Sequence, residues 1–75
     1  MPKTIDITSE FAANVWKVVA KVGDRVDSDS VLVILESMKM EIPVSPDQAG
    51  DLIEVTVQEG ETIVEGQLLA RVSVG

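Results

Sequence analysis

The sequence ESMKMEIP, residues 36–43, separates two apolar runs that both read as β-strand. At its centre a single lysine, Lys39, is flanked by Met38 and Met40. A tight hairpin at this point would normally contain Gly, Asn, Asp or Pro, and the Met-Lys-Met segment contains none of them. A turn that lacks turn-forming residues indicates that another constraint selects these three side chains.

Short β-strands are the regular elements that the apolar pattern predicts. Two segments alternate apolar with polar residues, which is typical of half-buried strands. The five apolar residues 31–35 are rich in β-branched side chains, and this run predicts a strand covered on both faces at the centre of the core. The alternating residues are Trp16, Val18, Ala20 and Val22 in the first segment and Ile53, Val55 and Val57 in the second.

Turn-forming residues separate these runs and complete the fold-class prediction. Glycine stands at the centre of Val-Gly-Asp, residues 22–24, of Glu-Gly-Glu, residues 59–61, and of Glu-Gly-Gln, residues 65–67. Short strands with turns at this spacing predict an all-β barrel or sandwich. Because Pro43 cannot donate a hydrogen bond to a sheet, we expect it on an edge strand or at a position whose N–H would face away from the neighbouring strand.

The chain also repeats itself. When Gly23 is aligned with Gly60, 37 residues later, apolar residues coincide along both halves, and the halves join near residue 38. Two units are too few for a solenoid, so we expect them to close on each other as one flattened β-barrel or sandwich of two short-stranded sheets with pseudo-two-fold symmetry. The join would then hold Lys39 out as a tip, away from the chain termini.

Composition limits what such a chain can do. With 75 residues, 45% of them apolar, residues 1–75 make a single domain with little room for a buried active-site cleft. The net charge of −7 disfavours nucleic acid and anionic lipid as partners. The absence of histidine and cysteine excludes Ser-His-Asp and Cys-His catalysis and the usual zinc sites, and no metal site is predicted.

The sequence predicts a soluble, cytoplasmic location. The N-terminal residues lack the apolar segment of a signal peptide, and no run of 18 apolar residues could span a bilayer.

Residues 36–41, Glu-Ser-Met-Lys-Met-Glu, resemble the attachment hairpin of biotinyl domains, the biotin carboxyl carrier modules of biotin-dependent carboxylases. Gly-Asp at 23–24, Gly-Glu at 60–61 and the internal repeat also fit that family, so the resemblance covers essentially the whole chain. It implies a biotinyl/lipoyl-like fold and biotin attached to Lys39 as an amide by a biotin protein ligase. Ser37 departs from the alanine that the family often has, a change we expect to be tolerated.

The resemblance implies a non-catalytic carrier that moves carboxyl groups from a biotin carboxylase to a carboxyltransferase, for delivery to an acyl-CoA or keto acid. Met38 and Met40 would contact ligase and carboxylase pockets, although packing against the sandwich edge is an equal alternative. Glu36 and Glu41 would orient the ligase, although acids at a strand end are more often simply solvated. The carboxyltransferase that chooses the acceptor is not in this sequence.

Two other functions stay open. A lipoyl carrier shares the fold and the tip lysine, but lipoyl hairpins generally have Asp before the lysine and Ala after it, so the methionines favour biotin. An unmodified sandwich that serves as an interaction module is the other alternative.

Overall fold

A computed structural model describes residues 3–74 of the chain. These residues form eight β-strands and no helix, as the apolar pattern predicts. The strands are β1 (Lys3–Thr8), β2 (Ala13–Val18), β3 (Arg25–Val26), β4 (Val33–Ser37), β5 (Met40–Val44), β6 (Gly50–Val55), β7 (Thr62–Ile63) and β8 (Leu68–Val74).

The strands form two antiparallel four-stranded sheets that are related by the sequence repeat. One, the terminal sheet, has the order β1-β8-β6-β3, and the other, the hairpin sheet, has the order β5-β4-β2-β7. Replacing each strand by its counterpart in the other half of the chain converts one order into the other. The predicted sandwich with pseudo-two-fold symmetry is therefore confirmed, and β4 and β5 form the hairpin at the join.

The core consists of two apolar clusters that the repeat also exchanges. Leu52 and Val72 lie in one cluster, and their counterparts Val15 and Leu35 lie in the other. Alternate residues supply most of these side chains, because successive residues of a strand point to opposite faces of its sheet. In β8 both Leu69 and Ala70 are buried, at the point where the register with β1 shifts. Burial of these side chains holds the two sheets together, at roughly 1.5–3 kcal/mol for each large apolar side chain.

Reciprocal backbone hydrogen bonds lock the two halves together. Gly60 N–H donates to the Val15 carbonyl at 2.7 Å, and Gly23 N–H donates to the Leu52 carbonyl at 2.8 Å. Val15 and Leu52 donate in return, to the carbonyls of Glu61 and Asp24. Gly23 and Gly60 have φ angles of +100° and +88°, a conformation that glycine adopts without steric cost.

A β-bulge interrupts β2 and β6 at equivalent positions and corrects one prediction. The register shifts between Val15 and Lys17 and again between Leu52 and Glu54. The extra residue reverses the inward and outward alternation at that point, so Trp16 and Ile53 are exposed rather than buried.

After the bulges, the residues that the alternating pattern predicts to be buried are buried or partly buried, except Val22. Ala20 and Val57 are buried, and Val18 and Val55 are partly buried against the core. Val22 is exposed because the strand has ended and the chain has entered the glycine turn.

The apolar run 31–35 supplies the centre of the core, but the prediction that both of its faces are covered is wrong. Leu32, Val33 and Leu35 are each 1% exposed, whereas Ile34 is only half-buried because it lies on the outer face of the hairpin sheet. Pro43 lies in β5, an edge strand, as expected. There its missing N–H removes no bond from the interior of the sheet.

Gly50 tests how tightly β6 fits against β8 in the terminal sheet. A Cβ at this position would overlap the carbonyl oxygen of Ser73 and lie 2.7 Å from Val72 Cγ1. We expect Gly50→Ala to lower the free energy of unfolding by about 1–3 kcal/mol, measured by urea titration. The control Gln48→Ala, at an exposed position two residues before Gly50, should stay within about 0.5 kcal/mol of the parent. Equal stabilities for the two variants would contradict the close fit.

Candidate functional site

The β4–β5 hairpin closes with a two-residue turn. Ser37 pairs with Met40, which leaves only Met38 and Lys39 between the strands. Their φ angles are +52° and +67°, the left-handed values that a type I′ turn requires at both central positions. Glycine and asparagine usually occupy such positions, because a left-handed conformation costs other residues roughly 1–2 kcal/mol each. Met38 and Lys39 are therefore held at the tip in a conformation that is strained for both residues.

The tip side chains project into solvent. Met38 is 92% exposed and Met40 is 65% exposed, and Lys39 is exposed between them. Neither methionine packs onto the sandwich edge, so that alternative is wrong. Their role as partner contacts stays a prediction. The structure thus presents one primary amine on a fixed turn, with an apolar side chain on each side of it.

Glu36 and Glu41 form a cross-strand pair immediately behind the tip, and we call them the acid pair. They are directly opposite each other on β4 and β5, and both are exposed. Within residues 3–74, the arginines form ion pairs with Asp6, Asp51 and Glu54, and no ion pair involves the acid pair. Like charges in opposite positions destabilise a sheet slightly, so folding does not explain the acid pair.

A groove beside the hairpin is a feature that the sequence did not predict. It has a volume of about 280 Å³ and opens between the edge strands β1 and β5. Apolar side chains from the hairpin, Leu35 and Ile42, line it together with Phe11. Acidic residues, among them Asp6 and Asp47, also line it. Because two separate strand edges form the groove, no local motif signals it.

Other sites of chemistry are scarce in the described part of the chain. No group of three or more acidic, histidine or cysteine side chains among residues 3–74 could hold a metal ion. The pKa of Arg71 is raised, first by its hydrogen bond with Asp6 and then by the charge of Glu54, but this group stabilises the terminal sheet and does not belong to the hairpin. No helix among these residues could cross a membrane, and a cytoplasmic location stays a prediction.

Comparison with known proteins places these features in a family. Residues 1–72 match the family described as biotin-requiring enzyme. The biotinylated protein TB7.3 homolog of Mycobacterium leprae is 46% identical over 68 residues, which cover 91% of this chain and 96% of that protein.

Two solved structures resemble this one closely. The Kluyveromyces lactis urea carboxylase superposes with a TM-score of 0.88 at 30% identity, over 93% of this chain and 6% of that enzyme. The lipoyl domain of the Azotobacter vinelandii 2-oxoglutarate dehydrogenase complex superposes with a TM-score of 0.79 at 28% identity, over 95% of this chain and 98% of that domain. The same sandwich therefore occurs in a carboxylase and in a lipoyl domain.

The strain at the tip can be measured by relieving it. Asparagine tolerates the left-handed conformation better than methionine, so we expect Met38→Asn to raise the free energy of unfolding by about 1 kcal/mol in urea titration. Met40→Asn is the matched control, because Met40 lies in β5 rather than in the turn, and it should give no increase. A Met38→Asn protein no more stable than the parent would show that the turn is unstrained.

Proposed function

This chain belongs to the biotin-requiring enzyme family of biotin/lipoyl attachment domains, and from that premise we propose that it is a biotin carboxyl carrier with biotin attached to Lys39. Residues 1–75 would act as one carrier domain, in the cytoplasm. The observation that carries the proposal is the exposed Lys39 on a strained two-residue turn, since the fold has no need of a lysine there.

Lys39 is well placed to be acylated. Its Nζ attacks the carbonyl carbon of biotinyl-AMP, a C–N amide bond forms, the bond from that carbon to the phosphate oxygen breaks, and AMP leaves. The ammonium form of the nitrogen gives up one proton before it can attack and a second as the amide forms. Among residues 3–74 no ion pair joins the lysine to a carboxylate, so the ligase and solvent accept these protons. A fixed turn presents the amine in one geometry and saves the ordering cost that a flexible tail would incur.

The attached group supplies the carrying chemistry, because biotin bears a carboxyl group between the enzyme that loads it and the enzyme that unloads it. This chain's own part is to hold the attachment point on a rigid sandwich. Tethering keeps the carried group at a high effective concentration near both enzymes. A separate biotin carboxylase and carboxyltransferase would perform the catalysis, so the chain itself is a carrier and not an enzyme.

The residues on either side of the lysine support biotin over lipoate. Methionine precedes and follows Lys39, whereas lipoyl hairpins generally have Asp and Ala there. A biotinylated relative and a urea carboxylase neighbour point the same way. The lipoyl domain among the structural neighbours makes lipoylation of Lys39 the second candidate.

The side chains around the lysine have separate parts in this proposal. Met38 and Met40 are flexible apolar contacts that fit into pockets of the ligase and of the carboxylase. Glu36 and Glu41 orient the ligase by attracting cationic side chains to the rear of the hairpin.

Replacing the acceptor lysine tests the attachment directly. The parent chain, produced together with a biotin protein ligase, should gain the mass of one biotinyl group and bind streptavidin, and Lys39→Arg should do neither. Lys21→Arg is the matched control, because Lys21 is an exposed lysine distant from Lys39 in the sequence. This variant should be labelled fully. Labelling of the Lys39→Arg protein would show that another residue is the acceptor. A mass increase equal to a lipoyl group would identify lipoate as the cofactor instead of biotin. A parent protein that gains no group would support the remaining alternative, an unmodified interaction module.

Replacing both tip methionines tests their part in transfer. Met38→Leu combined with Met40→Leu should leave the free energy of unfolding within about 1.5 kcal/mol of the parent, because leucine has a similar volume. Leucine is stiffer than methionine, so we expect slower carboxyl transfer from the biotinylated protein in a coupled carboxylase assay. Unchanged transfer kinetics would show that the methionines make no functional contact.

A further inference from the structure

The outer faces of the two sheets differ at positions that the repeat makes equivalent. On the terminal sheet, Arg71 forms ion pairs with Asp6 at 3.1 Å and with Glu54 at 2.9 Å. The counterparts of Arg71 and Asp6 on the hairpin sheet are Ile34 and Pro43, which are also directly opposite each other. The cross-strand pair is therefore ionic on one face of the sandwich and apolar on the other, and Lys17 is the counterpart of Glu54.

Trp16 extends this apolar surface onto a third strand. It lies in the β2 bulge, beside Lys17, and Lys17 is opposite Ile34 on β4. The Lys17 Nζ atom lies 5.5 Å from the centroid of the Trp16 ring. We call Trp16, Ile34 and Pro43 the apolar stripe, because they lie on the neighbouring strands β2, β4 and β5.

The row of residues next to the tip breaks the symmetry as well. The acid pair, Glu36 and Glu41, has as its counterpart on the terminal sheet the neutral pair Ser73 and Thr4. The hairpin sheet thus has two unusual rows side by side, two uncompensated carboxylates near the tip and an apolar stripe behind them. The fold tolerates neutral or ion-paired residues at both rows, as the terminal sheet demonstrates.

The outer face of the hairpin is the broad surface open to a protein that grips Lys39 from the side. Leu35 is 1% exposed and Ile42 packs against the core, so the core covers the inner face except at the groove that Ile42 lines. From the Ser37–Met40 pair to the Ile34–Pro43 pair is three residues along the strand, about 10 Å. A protein lying along the outer face therefore covers the acid pair first and the apolar stripe next.

We propose that the acid pair and the apolar stripe together are the docking surface for the biotin protein ligase, which presents basic side chains to the first and an apolar patch to the second. This inference rests on the proposed acylation of Lys39. Because the lysine nitrogen itself reacts, the ligase must approach to within one lysine side chain of the backbone. A standard interface of about 800 Å² per partner also needs more surface than three tip side chains provide, since even an aromatic side chain buries only about 150–250 Å².

A second copy of this chain does not fit the same surface. Face-to-face association would bring together two chains that each have a net charge of −7, and their mutual repulsion opposes it. Charge complementarity instead requires a partner with lysine or arginine at the end nearest the tip.

Two alanine variants at equivalent bulge positions test the docking surface. Trp16 and Ile53 are 43% and 45% exposed on opposite faces, so they form a matched pair. We expect Trp16→Ala to raise the KM of the full-length chain for biotinylation by the ligase about tenfold, with kcat changed little. Ile53→Ala should change KM by less than twofold. Equal KM values for the two variants would overturn the proposal.

A second variant tests the docking surface independently, in case Trp16→Ala does not fold. Ile34→Glu combined with Pro43→Arg places an ion pair where the terminal sheet has one, keeps the net charge unchanged, and leaves Lys17 opposite an acid. The geometry is one that this fold already holds, so the variant should keep the parent's circular dichroism and melting temperature. We expect its KM to rise at least tenfold, and a KM within twofold of the parent would again overturn the docking surface.

A direct footprint separates this inference from the acylation itself. In nitrogen-15 NMR spectra of the Lys39→Arg protein, which cannot be acylated, added ligase should shift the Trp16 indole and Ile34 amide signals and leave the Ile53 amide signal in place. Shifts confined to residues 37–41 would refute the docking surface even if the parent is biotinylated. Conversely, a parent that gains no biotin but shows the full footprint would count against the proposed acylation and not against the surface.

Discussion

The hydrogen bonds that each half of the chain gives to the other hold this structure together. The turn at Gly60 bonds to Val15 in the first half, and the turn at Gly23 bonds to Leu52 in the second half. Both bonded residues are almost completely buried, and each lies immediately before a β-bulge. Neither half can complete a sheet, because each half supplies the two central strands of one sheet and the other half supplies both of its edge strands. The functional hairpin therefore depends on the whole chain having folded.

The register of β4 with β5 connects this scaffold to the site. Five successive pairs, from Val33–Val44 to Ser37–Met40, continue without a bulge. This register directs Leu35 and Ile42 into the core, places the acid pair outside, and leaves only Met38 and Lys39 to make the turn. The strain in the turn is thus a consequence of the pairing, and the pairing is secured by the buried side chains behind it. Strain of this kind persists where the surrounding structure overdetermines the conformation.

Much of this arrangement could be predicted from the sequence, because strands, glycine turns and the repeat depend on local periodicity. The position of Lys39 at the join followed from the repeat in the same way. The outward placement of Trp16 could not be read from a simple alternation, since the bulge slips the phase by one residue. A signal of that slip was present: Ala13 and Val15 alternate in the opposite phase to Val18 and Ala20. The apolar stripe stayed hidden because it depends on which strands become neighbours.

The pairing of Lys3 with Val74 has a consequence for how such a domain can be joined to other chains. These two residues are the counterparts of Met40 and Ser37, the residues that flank the lysine turn. The two halves of the chain therefore meet at two equivalent positions. At one of them the Met38–Lys39 turn connects β4 to β5, and at the other β8 and β1 are paired but not connected. The turn presents Lys39, and the unconnected position is where β1 begins and β8 ends. A segment joined at Lys3 or at Val74 would start from the terminal sheet, so such a domain can be joined to other chains while Lys39 stays accessible.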